Sequence, residues 1–218
     1  MPVDEFQQAV AVIALRAAAE HDFVVAGGNA LIKHGIVDRY TADIDLFSPR
    51  EGAVQAAAAA VEQALRDAGL KVERQDQSGG LSDVWYAIGE GLAEWVITGP
   101  GGRETILQMA YFGRSRKPVI IDGLPVLAAE DAVGWKTHAL VTRVEARDYV
   151  DVAAALGRYS VPQLIRFARR LEPGLRPEEF ADAGQRLDHM PDTRFTRLGL
   201  RRAAINRIRK AFTDWPRN

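Results

Sequence analysis

The chain has 218 residues, 47% of them hydrophobic and 26% charged, enough for one large domain or two small ones with a substantial core. It has no cysteine, which excludes disulfides, zinc–thiolate sites and thiol nucleophiles. The 28 basic and 29 acidic side chains nearly cancel, so the distribution of charge is more informative than the sum. No apolar stretch approaches the ~20 residues that span a bilayer, and no basic region precedes the first apolar positions. A soluble cytoplasmic protein is the expectation.

In chain order, Asp4 to Glu20 reads as a helix, with Phe6, Val10, Ile13 and Ala17 recurring on one side. Phe23 to Ala26 reads as a short buried strand, Asn29 to His34 as a short helix stopped by Gly35, and Thr41 to Phe47 as a second strand. The alanine-rich run from Glu51 to Ala68 is a strong helix former. Strands are expected over Leu70 to Gln75, Ser82 to Ile88, Glu94 to Thr98 and Thr105 to Phe112, set apart by glycine-rich turns. Asp122-Gly123, between Pro118 to Ile121 and Leu124 to Leu127, predicts a type I′ hairpin.

From Ala129 the pattern turns helical, over Ala129 to Val141, Ala146 to Leu156, Val161 to Arg170, Pro177 to Asp188 and Arg194 to Phe212. The class is therefore α+β. A mixed α/β core over residues 1–128 precedes a helical half over 129–218, and the two are expected to complete one cleft. From Arg194 to Lys210 there are seven Arg or Lys residues and no acid. That run is either a solvated helix face or a contact surface for a phosphate backbone.

Two spacings carry chemistry. In Val24-Val25-Ala26-Gly27-Gly28-Asn29 an apolar strand breaks at two glycines before a helix, where backbone N–H groups can approach a phosphate closely. Asn29 is placed to cap that helix and touch a phosphate. In Asp43-Ile44-Asp45-Leu46 the two carboxylates are i and i+2 on a strand, so both project from one face while Ile44 and Leu46 enter the core. Carboxylates that close repel unless a cation lies between them, and Mg2+ is the usual one beside phosphates.

Gly27-Gly28-Asn29-Ala30, Arg39, Thr41 and Asp43-Ile44-Asp45-Leu46 together resemble the first motif of the nucleotidyltransferase superfamily. A second block narrows the resemblance to the AbiEii-like toxins of type IV toxin–antitoxin systems, which include the mycobacterial MenT toxins. That block is Glu130-Asp131, Lys136, Arg143 and Arg147-Asp148-Tyr149-Val150-Asp151. The resemblance covers roughly residues 22 to 156. It implies a nucleotidyltransferase-like mixed sheet with flanking helices. The implied activity is Mg2+-dependent transfer of a nucleoside monophosphate from an NTP to an RNA acceptor, the tRNA 3′ end, by a toxin with a cognate antitoxin.

Asp43 and Asp45 would hold metal. Gly27, Gly28, Asn29, Arg39, Thr41 and Arg143 would bind the nucleotide, and Lys136 and Asp148 would join the aspartates as catalytic groups. Lys136 and Arg143 are two helical turns apart and share a face. Asp148 would orient Lys136, complete the metal shell or act as a base. Arg147 and Asp151 read as an i,i+4 surface ion pair.

The chain departs from the superfamily at Asn29, where serine is common, and at Gln108, where a third strand carboxylate is usual. Glu94, Glu104 and Asp148 are the substitutes to weigh. Nucleotidylation of a small molecule or protein, and a catalytically weak interaction partner in a toxin–antitoxin pair, stand as the alternative functions. The four histidines have no metal-ligand spacing and read as structural or surface residues.

Overall fold

A computed structural model describes residues 4–75 and 91–218. The chain divides into two compact units, Met1–Ala128 and Ala129–Asn218. The strand expected over Ser82 to Ile88 lies outside the described residues.

The first unit is built on a mixed sheet of strands β1 (Val24–Val25), β2 (Asp43–Ser48), β3 (Lys71–Arg74), β4 (Leu92–Thr98), β5 (Glu104–Tyr111), β6 (Val119–Ile121) and β7 (Leu124–Val126). Their order is β3-β4-β5-β2-β1-β7-β6. The β2–β5 and β1–β7 pairs are parallel and the others antiparallel. The turn between β6 and β7 has Asp122 at φ 51° and Gly123 at φ 76°, the two positive values that a type I′ hairpin demands.

Alternation decides the two faces of the sheet. Ile44 and Leu46 of β2, Trp95 and Ile97 of β4, and Leu107 and Met109 of β5 are buried. They share that face with helices α1 (Glu5–Ala17) and α3 (Ala53–Asp67). The alanines of α3 let it lie close, with Ala57, Ala58, Val61 and Leu65 inward. Asp4 caps α1 by accepting from the Phe6 and Gln7 amides at 2.8 and 3.2 Å. On the opposite face Asp43, Asp45, Gln108 and Glu94 are only half buried.

Helix α2 (Gly27–Lys33) starts at the first glycine, two residues earlier than the side-chain pattern suggests. Its far end is fastened to the hairpin. His34 Nε2 lies 2.7 Å from the Leu127 carbonyl, and Lys33 pairs with Asp122 at 2.9 Å.

The second unit contains α4 (Ala129–Arg143), α5 (Ala146–Ala155), α6 (Val161–Leu171), α7 (Pro177–His189), α8 (Asp192–Thr196) and α9 (Arg202–Ala211). Helices α4 and α6 approach closely at Gly134, where a Cβ would lie 3.0 Å from the Phe167 carbonyl oxygen. Tyr149, Phe212, Phe180 and Trp215 form an aromatic core. The Tyr149 hydroxyl donates to the Ala183 carbonyl at 2.6 Å and the Trp215 indole to that of Phe180 at 2.9 Å.

The single basic helix expected from Arg194 to Phe212 is two helices. Gly199, at φ 78°, ends α8 with the Leu200 amide bonded to the Phe195 carbonyl and its own amide to that of Thr196. That pair of bonds is a Schellman stop, and glycine is the residue that tolerates it. Among the described residues no helix is long and apolar enough to cross a membrane.

Candidate active site

In the first unit the glycine turn is laced to β2 by its own backbone. The Ala26 amide donates to the Asp45 carbonyl and the Asn29 side-chain amide to the Asp43 carbonyl, both at 2.8 Å. Gly27 has φ 55°, and a Cβ there would lie 1.7 Å from Asp45 Oδ2 and 2.4 Å from its Cγ. The Asp45 carboxylate therefore rests directly on the Gly27 main chain. Any side chain at Gly27 meets both a strained φ and an occupied space.

Gly28 is the seat of two further groups. A Cβ there would be 3.1 Å from Thr41 Oγ1 and 3.3 Å from an Arg39 Nη. Gly27, Gly28, Asn29, Arg39, Thr41, Asp43 and Asp45 thus converge.

Asn29 is 4% exposed, and its part differs from the one expected. The N-cap of α2 is Ala26, with no side-chain cap bond. The Asn29 amide nitrogen is committed to β2, and its Oδ1 is buried with no hydrogen-bond partner among the described residues. Its open atom is an acceptor, which suits a hydroxyl or water and not a phosphate oxygen.

Register accounts for the missing strand carboxylate. Gln108 on β5 stands beside Asp45, and Glu94 on β4 stands beside Gln108. Gln108 Nε2 donates to Glu94 Oε2. The nearest sheet acid is one strand farther from β2, with an amide between it and Asp45. Glu104 sits at the exposed start of β5, opposite Thr98. Among the described residues no three His, Cys, Asp or Glu side chains form a metal cluster. Two carboxylates suffice for Mg2+, which keeps several waters and takes other ligands from substrate phosphates.

In the second unit Lys136, Arg143 and Asp148 meet in a buried ion cluster. Arg143 grips Asp148 with two bonds of 2.7 and 2.8 Å, and Lys136 Nζ reaches it at 3.3 Å. Burial pushes the Asp148 carboxyl up. The Arg143 hydrogen bonds and the charges of Lys136 and Arg143 outweigh that and hold it below the usual carboxylate range. Asp151 is no surface residue. It is fully buried and faces Lys136 at 3.0 Å, while Arg147 is exposed and pairs with Glu145. The i,i+3 spacing of Asp148 and Asp151 on α5 lets one lysine address both. His138 packs edge-on against Trp135, and burial lowers its pKa against the pull of Glu172 and Glu179.

The family model for the AbiEii nucleotidyl transferase toxin of type IV toxin–antitoxin systems matches residues 11–209. The chain belongs to the AbiEii nucleotidyltransferase toxin family. It is therefore a nucleotidyltransferase of the toxin kind, and membership implies an NTP substrate and an antitoxin partner. Among solved structures, JHP933 from Helicobacter pylori is similar at 13% identity and a TM-score of 0.60, covering 96% of this chain and 91% of that one. MenT4, a nucleotidyltransferase toxin from Mycobacterium tuberculosis, is similar at 19% identity and a TM-score of 0.54, covering 94% and 84%. Both likenesses are of fold. No curated protein matches the chain by sequence.

Proposed function

We propose that this AbiEii-family enzyme transfers a nucleoside monophosphate from an NTP to an RNA hydroxyl in the cytoplasm. The acceptor is the 3′ end of tRNA, and the modification stops translation until a cognate antitoxin intervenes. The observation that carries the reading is the seat of the Asp45 carboxylate on the Gly27 main chain, with Asp43 on the same strand face.

Asp43 and Asp45 are the residues that would hold Mg2+. The metal, when bound, neutralises triphosphate charge and favours the acceptor alkoxide. The main-chain N–H groups of Gly27, Gly28 and Asn29 donate to the phosphates, while the Asn29 side-chain amide stays on the Asp43 carbonyl. Thr41 and Arg39, resting on Gly28, add a hydroxyl and a cation to them. The Asn29 carbonyl oxygen takes a sugar hydroxyl or a water. The acceptor oxygen bonds to the α-phosphorus as the bond to pyrophosphate breaks, and the hydroxyl proton is released to water. Lys136 and Arg143 offset the charge that develops. Asp148 acts through those two cations as a positioning residue, since a carboxylate held that acidic is a poor base.

The test is incubation of the protein with Mg2+, each labelled NTP in turn and total tRNA, beside Asp45→Asn and a metal-free control. Label entering tRNA only with the unaltered protein and Mg2+ is the expected result. Absence of label in tRNA with every NTP overturns the RNA reading.

A further inference from the structure

The second unit has a groove of about 970 Å³ along α6. Arg166, Arg169 and Arg170 line it beside Ile165 and Tyr159, and the chain at Ala211, Asp214 and Pro216 completes the lining. The three arginines are spaced i, i+3 and i+4 on one helix, so they share a face and span about 6 Å along its axis. All three are exposed. Arg166 leans over the Phe167 ring at 5.7 Å, and among the described residues Arg169 and Arg170 have no carboxylate partner. Buried Leu164, Phe167 and Ala168 hold the other side of α6, which fixes the arginine face outward.

Charge elsewhere in the unit points the same way. Residues 129–218 contain 17 of the 28 basic side chains and 12 of the 29 acidic ones. Ala211, in the groove lining, is the last residue of α9, so the basic run ends there. Of that run Arg209 is internal, donating to the Leu187 and Met190 carbonyls and to Asp192. Arg194, Arg197, Arg201, Arg202, Arg207 and Lys210 are exposed and unpaired among the described residues. A row of guanidinium groups beside a tyrosine and apolar walls suits a nucleic acid strand, which offers phosphates and stacking bases together. Asp214 is the one carboxylate in the lining, and it suits a ribose hydroxyl.

We propose that this groove grips the acceptor RNA, with its backbone on Arg166, Arg169 and Arg170 and a base against Tyr159 and Ile165. The proposal rests on the reading of an RNA acceptor and adds where that RNA is held. The experiment is equilibrium binding of fluorescent tRNA to the full chain at several salt concentrations, without NTP or Mg2+. It compares the unaltered protein, single Arg170→Gln, and the triple Arg166→Gln, Arg169→Gln, Arg170→Gln variant.

The triple variant should bind roughly tenfold or more weakly at low salt, with a log–log salt slope shallower by about 2. Arg170→Gln should lose about 0.7 of that slope. A triple variant with unaltered affinity and slope overturns the groove, whatever the incorporation assay shows. So does groove-dependent binding of polyglutamate with none of tRNA, which assigns the face to an acidic protein. Nucleotide transfer is judged separately by label incorporation, so the two failures are distinguishable.

Discussion

Gly27→Ala is the most direct probe of the candidate site. The new Cβ would start 1.7 Å from Asp45 Oδ2 and needs about 3.0 Å, so the carboxylate must retreat by roughly 1.3 Å or rotate off the turn. The left-handed φ of 55° costs an alanine about 1–2 kcal/mol. For a chain of this length that lowers the thermal midpoint by roughly 2–8 °C, which leaves the protein folded at 25 °C. Displacing by more than about 1 Å a carboxylate proposed to hold the metal should cost transfer about a hundredfold or more. Gly28→Ala is the milder comparison, expected to lower incorporation less than Gly27→Ala because it nudges Thr41 and Arg39 and leaves the Asp45 carboxylate in place. Its nearest neighbours would be Thr41 Oγ1 at 3.1 Å, an Arg39 Nη at 3.3 Å and Thr41 Cβ at 3.4 Å, and both side chains can give by a few tenths of an ångström. The assay is label incorporation from NTP, with a thermal melt on the same preparation. A folded Gly27→Ala protein that keeps more than half of the incorporation refutes the placement of Asp45 at the reacting phosphates.

Asp148→Ala should cost about 3–5 kcal/mol in urea unfolding, because it removes the buried carboxylate that Lys136 and Arg143 share and leaves the cluster with an excess of positive charge; a loss under about 1 kcal/mol would show that the cluster adds little to the fold. The depressed Asp148 pKa implies stability that is fully present above the ordinary carboxylate range near 4. It is lost as pH falls through the folded value, so Asp148→Asn should show a flatter acid limb. His138 stays neutral more readily folded than unfolded. Its contribution therefore becomes destabilising as pH falls below about 6.5, and His138→Gln should flatten the stability profile between roughly pH 6.5 and 5. Asn29→Ala should cost about 1 kcal/mol from the lost bond to Asp43, read by thermal melt, and Asn29→Ser should not restore it because serine has no amide to reach that carbonyl.

What the sequence made legible followed from local periodicity. Asp43 and Asp45 had to share a face because strand side chains alternate, and Asp122-Gly123 had to turn because both residues take positive φ. Long-range pairing was not legible. Asn29 reads as a cap until the carbonyl its amide finds is known, fourteen residues on. The place of Gln108 between Asp45 and Glu94 depends on the register of three strands, which no single segment encodes. Asp151 reads as a surface acid because Arg147 is four residues before it. Its burial follows from α5 turning that side toward Lys136 of α4. The basic run hid a helix stop because Arg and Lys recur on both sides of Leu198-Gly199-Leu200, and a lone glycine weighs little against that rhythm.

Strand β1 is only two residues long, yet in the sheet order it alone joins the β7–β6 hairpin to β2 and the strands beyond. A seam that short opens easily, and the residue after next is Gly27. Hydrogen exchange at the Leu127 amide, bonded to Val25 at 2.9 Å, would report that opening. Helix α2 bridges the seam, with Asn29 tied to the Asp43 carbonyl at one end and Lys33 and His34 tied to the hairpin at the other. The helix therefore works as a splint. Cutting the Lys33–Asp122 tie should speed exchange at Leu127 and loosen the ground under Asp45.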